Sequence, residues 1–198
     1  MNKYLPALKS LLITVLAGAF LLFPLIVSAQ EKFTAQSVNI SITGTSTLHD
    51  WEEKSSQGQC TASIAVKDNK IDIAALRFST PAKGLKSEHT LMDKNTYKAL
   101  NADKYPAISF VLSSATAVSS GSNTYQLKAT GSLTLAGTTK QTDINATLVY
   151  NPASKSFTCK GSKTIKMSEY GVTPPTVMMG TIKTGDQVTI TYELIIRS

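Results

Sequence analysis

From Gln36 onward the chain consists of short segments in which apolar and polar residues alternate. In the first segment, Val38, Ile40 and Ile42 alternate with polar neighbours, and clusters of Gly, Asn, Asp, Ser or Pro close this segment and the later ones. Alternation with a period of two places one face of a β-strand in a core, and repeated turn clusters are typical of antiparallel sandwiches and barrels. Because helical periodicity is nearly absent, the pattern predicts an all-β fold.

The alternating segments number eight and lie at residues 38–42, 60–66, 70–80, 108–112, 125–135, 144–150, 157–167 and 187–197. Eight antiparallel strands close a small barrel, whose interior either fills with side chains or holds one small ligand. We therefore predict an all-β barrel of eight antiparallel strands, with one short helix between the third and fourth strands.

The helix is predicted at residues 92–101, where Asp93 is the candidate N-cap and Tyr97 and Leu100 share one face. This position interrupts the series of strands at a point where a lid or an end plug would sit. We expect the helix to end before Pro106, since proline cannot continue it.

Two predicted strands carry irregularities. In the third strand one register places Ile71 inward and the other places Phe78 inward, so a bulge near Ala74 or Ala75 would reconcile them. In the fifth strand Gly131 interrupts the alternation. A glycine at such a position lets a strand bend sharply or leaves space for a ligand.

The N-terminus has the pattern of a cleaved signal peptide. Two lysines precede an uncharged apolar run at residues 11–27, which ends in the small residues Val27-Ser28-Ala29. Pro24 and the small-residue exit favour cleavage over the alternative, a membrane anchor of about bilayer-spanning length. We predict a signal peptide at 1–29, a single mature domain at 30–198, and a periplasmic or secreted protein.

The charge of the chain is modestly positive. The formal net charge is +7, and the predicted signal peptide carries two lysines and no acidic residue, which leaves +5 on the mature chain. Lysines occur singly, without an aromatic-interleaved basic cluster, so nucleic acid is not an expected partner. This charge suits solubility or a transient attraction to anionic head groups at a membrane surface. The oligomeric state, monomer or homodimer, stays open.

The two cysteines, Cys60 and Cys159, would be able to pair in an oxidising compartment. They lie early in the second and seventh predicted strands, which run in opposite directions, so we expect them at opposite ends of the barrel. A disulfide needs Cα atoms within about 7 Å. We therefore predict that they do not form a disulfide.

Catalytic chemistry has little support in the sequence. A hydrolase needs a nucleophile beside a base, and the chain has two histidines, His49 and His89, and no Gly-x-Ser-x-Gly motif. We interpret His49 as a polar residue that closes the first strand and His89 as a solvated loop residue. No metal-binding or phosphate-binding motif is present. We predict a protein that is not an enzyme and has no cofactor or metal.

The candidate binding site is the apolar interior, together with apolar residues of the helix and of the irregular stretch 168–185. Methionines near an opening suit a flexible apolar ligand, since the unbranched thioether adapts its shape. Alternation alone does not distinguish a hollow barrel from a packed one, so both alternatives stay open. The candidate ligand-binding residues are Leu76, Phe78, Met92, Tyr97, Ile108, Phe110, Leu112, Leu133, Ile144, Leu148, Val177, Met178 and Met179.

Four stretches resemble the YceI-like family, and specifically its secreted members from Bacteroidetes-like bacteria. They are residues 44–51, which read Gly-Thr-Ser-Thr-Leu-His-Asp-Trp, 92–110, which end in Lys-Tyr-Pro-Ala-Ile-Ser-Phe, 131–140, which read Gly-Ser-Leu-Thr-Leu-Ala-Gly-Thr-Thr-Lys, and 170–171 with 180–188. Their order and spacing match over almost the whole predicted domain. The segment 81–91 departs from the family, since it lacks the usual acidic and histidine pattern.

The resemblance implies an extended lipocalin-like barrel of eight antiparallel strands with a helix, and binding of a polyisoprenoid or other long-chain lipid inside it. Two hypotheses are consistent with it. The first is a protein that binds or shuttles an apolar lipid, such as a polyprenyl carrier, an isoprenoid quinone or a fatty-acid-like lipid. The second is a non-catalytic envelope stress or interaction protein with a packed barrel.

Overall fold

The computed structural model describes residues 30–198, and the predicted signal peptide at 1–29 lies outside the described residues. Within these residues there are ten strands, one α-helix and two short 3₁₀ helices, and no helix is both long and apolar enough to span a membrane. The 3₁₀ helices are Ala82–Gly84 and Met167–Tyr170. The other elements are β1 (Glu31–Ser46), β2 (Trp51–Ser55), β3 (Gln59–Lys67), β4 (Lys70–Pro81), α1 (Thr90–Ala99), β5 (Ala107–Gly121), β6 (Thr124–Leu135), β7 (Thr138–Asn151), β8 (Ser156–Lys166), β9 (Thr176–Val177) and β10 (Ile182–Arg197).

Eight of these strands close into an antiparallel barrel in the order β1, β3, β4, β5, β6, β7, β8 and β10, and β10 pairs with β1. Each barrel strand corresponds to one of the segments that alternation predicts. Helix α1 lies between the third and fourth barrel strands, β4 and β5. The predicted fold class is therefore confirmed. We call the end of the barrel at which β1 begins the lower end, and the opposite end the upper end.

Strand β1 is long enough to pair with two partners on one edge. Its first half pairs with β3, with Phe33 opposite Ala62, and its second half pairs with β2, with Ile42 opposite Glu53. β2 and β3 therefore act as one long strand with an interruption between them. The sequence pattern missed β2 because its two fully buried residues, Glu53 and Ser55, are polar.

The predicted bulge in the third barrel strand is confirmed. Ser63 pairs with Ala75 and Ile64 pairs with Ile73, so Ala74 is left without a partner on β3. The extra residue restores the inward direction of the side chains on both sides of it.

Gly131 makes room for an aromatic ring rather than for a ligand. It lies on β6 opposite Leu112 of β5, where a second bulge follows. A Cβ atom at Gly131 would overlap the ring of Phe110 and the carbonyl oxygen of Val111. The missing side chain therefore lets the Phe110 ring pack directly against the backbone of β6.

The core of the described residues consists of a lower cluster, an upper cluster and a small third cluster formed by Val38, Ile40 and Leu194. In the lower cluster Phe33, Tyr125 and Phe157 are almost inaccessible, and the rings of Phe33 and Phe157 meet edge to face with centroids 5.3 Å apart. The upper cluster lies below α1 and includes Leu85 and Tyr170. Large aromatic side chains thus close the lower end of the barrel.

The N-cap prediction for α1 is wrong. The helix begins at Thr90, so His89 occupies the cap position and Asp93 lies within the first turn. The Asp93 carboxylate accepts hydrogen bonds from the backbone N–H and the hydroxyl of Ser87, at 2.7 and 2.8 Å. Through these hydrogen bonds Asp93 stabilises the loop before the helix, and it does not cap the helix itself.

Both cysteines are free thiols, as predicted, but they do not lie at opposite ends of the barrel. Cys60 and Cys159 pack against the same lower cluster. The reason is that β2 and β3 form one long strand, so Cys60 lies near mid-height rather than at the upper end. Burial raises the pKa of Cys60 to about 11 and that of Cys159 to about 12, so both stay protonated at neutral pH.

We expect Gly131→Ala to lower the free energy of unfolding by about 1–3 kcal/mol, because the new methyl group would force the Phe110 ring out of its position. Gly121→Ala is the control, since a Cβ atom there would meet only the Thr124 Cβ at 3.8 Å. Urea unfolding measures both. Equal stabilities for the two variants would contradict this role of Gly131.

Candidate functional site

The upper half of the barrel contains a cavity of about 470 Å³ with almost entirely apolar walls. Its wall includes Ile42, Leu112, Ile144 and Ile190, which point inward yet are only half-buried, because no side chain from the opposite wall reaches them. The volume is within the range of small-molecule binding sites, about 300–1,000 Å³. The cavity reaches down to Leu127, Ala129 and Ala146 of the lower cluster, and the barrel is packed below these residues.

Nine of the thirteen candidate binding residues lie against this cavity. They come from four barrel strands, from α1 and from β9, and their contact with a ligand stays a prediction. The nine are Leu76, Phe78, Met92, Ile108, Phe110, Leu112, Leu133, Ile144 and Val177.

Leu148, although predicted as a binding residue, does not line the cavity. It points inward from β7 as alternation predicts, but it is 5% exposed and belongs to the lower cluster. Ile144 lies four residues earlier on the same face of β7 and reaches the cavity. Alternation predicts which side chains point into the barrel, but it does not predict the height along the barrel axis at which the packed core gives way to the cavity.

Tyr97, Met178 and Met179 are also placed outside the cavity. The Tyr97 hydroxyl donates hydrogen bonds to the carbonyl oxygens of Lys83 and Leu85, and its ring packs on the upper cluster. Met178 and Met179 form the turn between β9 and β10 with positive φ, and they are 72% and 108% exposed. A tight turn directs both methionines into solvent.

The cavity opens at the upper end. Among its lining residues, Leu48, His49, His89 and Leu91 are the ones exposed to solvent. They belong to the loop between β1 and β2 and to the start of α1. His49 therefore lies at the opening, where its Nδ1 is 2.6 Å from the Asp50 carbonyl oxygen. His89 is exposed in the loop directly before α1, as predicted, and occupies the N-cap position without a side-chain hydrogen bond to the helix.

A buried carboxyl group interrupts the apolar wall beside α1. Glu53 on β2 is 1% exposed and lines the cavity. The Thr96 hydroxyl of α1 donates a hydrogen bond to Glu53 Oε1 at 2.5 Å. Burial raises the pKa of Glu53 to about 7, against the lowering effect of the Thr96 hydrogen bond. The sequence pattern does not reveal this residue, because a glutamate between charged neighbours looks like a solvated one.

β2 is held on both sides, which fixes the position of Glu53. On one side it pairs with β1, and on the other Lys54 and Lys86 exchange two backbone hydrogen bonds of 2.7 and 2.8 Å.

The Lys86 ammonium lies 3.5 Å from the Asp93 carboxylate. Burial alone would raise the pKa of Asp93, but the Ser87 hydrogen bonds and the Lys86 ammonium outweigh burial and hold it below its usual value.

The described residues contain no cluster of three or more His, Cys, Asp or Glu side chains that would hold a metal ion. In the same part of the chain, no buried side-chain nitrogen or oxygen lacks a hydrogen-bond partner.

We expect Ile144→Ala to cost less stability than Leu148→Ala in delipidated protein. Leu148→Ala leaves a void in the lower cluster and should lower the free energy of unfolding by about 2–5 kcal/mol. Ile144→Ala only enlarges an existing cavity, so the expected loss is about 1 kcal/mol, because the removed atoms touch few others. Urea unfolding compares the two variants, and an equal loss would mean that the upper half is packed as well.

The raised pKa of Glu53 predicts a specific dependence of stability on pH. The folded protein binds this proton more tightly than the unfolded chain, so its contribution is present below about pH 4.5 and is lost as pH rises through about 7. Glu53→Gln does not titrate and should gain on the wild type by on the order of 3 kcal/mol between pH 5 and pH 8. Urea midpoints at several pH values measure this gain. Glu52→Gln, at an exposed neighbour, should show no such gain, and parallel curves for Glu53→Gln and wild type would contradict the prediction.

Comparisons with known proteins agree with the fold. The YceI-like domain profile matches residues 28–196, whereas no curated protein sequence matches.

BcnA of Burkholderia cenocepacia is 18% identical, with a TM-score of 0.61 over 80% of this chain and 95% of that one. A polyisoprenoid binding domain from Saccharophagus degradans, implicated in plant cell wall breakdown, is 9% identical, with a TM-score of 0.59 over 84% and 98%. The YCEI protein of Campylobacter jejuni is 18% identical, with a TM-score of 0.52 over 69% and 79%. Because the profile matches almost the full length, the chain belongs to the YceI-like domain family.

Proposed function

We propose that the protein binds a long apolar lipid, of the polyisoprenoid type, in the upper half of the barrel. The observation that carries the proposal is the cavity of about 470 Å³ with almost entirely apolar walls, open at one end. The Saccharophagus degradans domain, which has the same fold, is described as polyisoprenoid binding. Family and cavity together favour binding rather than catalysis.

The physical driving force is the burial of apolar surface. Each square ångström of apolar surface removed from water contributes about 25 cal/mol. A flexible chain with no polar groups loses no hydrogen bonds when it enters such a space, whereas a polar ligand would lose its water without finding partners. The cavity therefore selects for a hydrocarbon chain. A polyprenyl carrier, an isoprenoid quinone and a fatty-acid-like lipid all meet this requirement.

The exposed apolar residues near the opening suggest where the lipid is collected. Leu48, Leu91 and Met178 are 66%, 69% and 72% exposed, and they lie at the upper end of the barrel. Apolar residues around an opening are typical of a binding or membrane-contact surface. We propose that the protein acts in the periplasm after signal-peptide cleavage and touches a membrane surface transiently at this end, helped by its positive net charge.

The alternative hypothesis, an envelope stress or interaction protein, depended on a packed barrel. The cavity counts against that premise.

We expect native mass spectrometry of the gently purified protein to show a lipid adduct that Leu112→Trp removes or strongly reduces. The larger ring would extend into the cavity, because the Leu112 side chain is half-buried and lines it. Val118→Trp is the matched control on the same strand, since Val118 is 61% exposed on the outside, and it should retain the adduct. A wild-type protein without adduct, and without uptake of added polyprenol, would overturn the proposed function.

A further inference from the structure

The Glu53–Thr96 pair is the most unusual feature of the cavity. Glu53 is 1% exposed, and the apolar residues Ile42, Trp51 and Leu85 line the same cavity. An uncompensated carboxylate in such surroundings is costly, so buried charges are normally paired with a cation. A costly group that persists in a wall of apolar residues is expected to have a use.

Within the described residues Glu53 forms no ion pair, although the positive charge of Lys86 lowers its pKa to a small extent. The nearby Lys86 ammonium forms its ion pair with Asp93, at 3.5 Å, and lies over the Tyr97 ring, with Nζ 5.1 Å from the centroid. The partner of Glu53 is instead an uncharged hydroxyl, that of Thr96. The environment therefore favours neutral hydrogen-bonding groups around this carboxyl.

One oxygen of the carboxyl group is available to a ligand. Oε1 accepts the hydrogen bond from Thr96, and Oε2 has no hydrogen-bond partner among the described residues. No fully buried side-chain oxygen in that part of the chain lacks a partner, so Oε2 has access to open space. Because Glu53 is a lining residue, that open space is the cavity.

We propose that Glu53, oriented by Thr96, is the head-group subsite of the cavity, and that it accepts a hydrogen bond from an uncharged lipid head that carries a hydroxyl or N–H donor. This proposal rests on the proposed lipid-binding function. The chain would fill the apolar part of the cavity while the head lies beside α1. A long-chain alcohol, a phenol or an amide has the required chemistry, and an ether or a plain hydrocarbon does not.

Anionic heads are disfavoured at this subsite. Glu53 and Asp93 are both acidic, and the ammonium of Lys86 is already paired with Asp93. Lys163 is the one lysine among the cavity-lining residues that the structure describes. Lys163 and Glu53 lie at the same level of the sheet. Glu53 pairs with Ile42, Ile42 pairs with Ile190 on its other side, and Ile190 pairs with Lys163. Three strand spacings separate the two groups by about 14 Å along the wall.

The alternative role for Glu53 is structural, because its hydrogen bond with Thr96 ties α1 to β2. A purely structural role would change the stability of the protein and its overall affinity for all lipids alike. It would not distinguish between two lipids that share a chain and differ only in a hydrogen-bond donor. A matched pair of ligands therefore separates the two roles.

The test uses delipidated protein loaded with the fluorescent apolar dye N-phenyl-1-naphthylamine. The dye is displaced by geranylgeraniol, by its methyl ether or by geranylgeranyl phosphate, which have the same chain. In the wild type at about pH 8.5, where the Glu53 carboxyl group is ionised and only accepts hydrogen bonds, geranylgeraniol should displace the dye at about tenfold lower concentration than the ether, because the ether has no hydrogen to donate. The phosphate should also be weaker than the alcohol.

Glu53→Met should abolish the preference for the alcohol over the ether. Its side chain has a similar size and suits an apolar wall, and Glu52→Met, on the same strand, is the matched control that should keep the preference.

The wild-type ranking tests the subsite without any variant. Equal displacement by alcohol and ether in the wild type, or a preference that survives Glu53→Met, would overturn the subsite and leave lipid binding intact. A tighter phosphate whose advantage Lys163→Met removes would also overturn it and place the head at Lys163. Failure of all three lipids to displace the dye would instead refute the proposed function itself.

Discussion

The ladder between β1 and β10 is the constraint on which the rest of the structure depends. Both strands have 16 residues, and their register runs from Thr34 opposite Arg197 to Ser46 opposite Thr184. Without this ladder the sheet would have two long unpaired edges, which invite association with other chains. The ladder also determines where β2 can lie, because β2 pairs with the part of β1 that extends beyond β3. The position of the buried carboxyl group therefore follows from barrel closure.

The division of the interior follows from the sizes of the inward-facing side chains. The rings of Phe33 and Phe157 meet in the lower half, and Tyr125 belongs to the same cluster. The walls of the upper half carry mostly aliphatic side chains, such as Leu112 and Ile144, that are too short to meet across the same barrel diameter. Atoms on such a wall lack partners on one side and forfeit dispersion energy. An apolar chain in the cavity would restore that energy, which is why a hollow region of this kind suits a hydrocarbon ligand.

Glu53 is the polar exception in this apolar wall, and the folded structure makes its ionisation unfavourable. The raised pKa, to about 7, means that burial opposes the charged form more strongly than the Thr96 hydroxyl supports it. Local rules of folding are commonly broken at sites that serve a function. A buried carboxyl group in a largely apolar cavity would orient a ligand without weakening its attraction for the chain.

The sequence by itself determined the strands of the barrel, the position of the helix and the bulge at Ala74, because these depend on local alternation and turn chemistry. Only the tertiary structure decided which inward-facing residues meet a partner: Leu148 is packed, whereas Ile144 faces the cavity. It also decided that Cys60 lies near mid-height and that Glu53 is buried. A period of two specifies the side of a strand on which a residue lies, but its height and its neighbours depend on segments far away in the chain. Burial is a property of those distant segments coming together, and therefore no local pattern contains it.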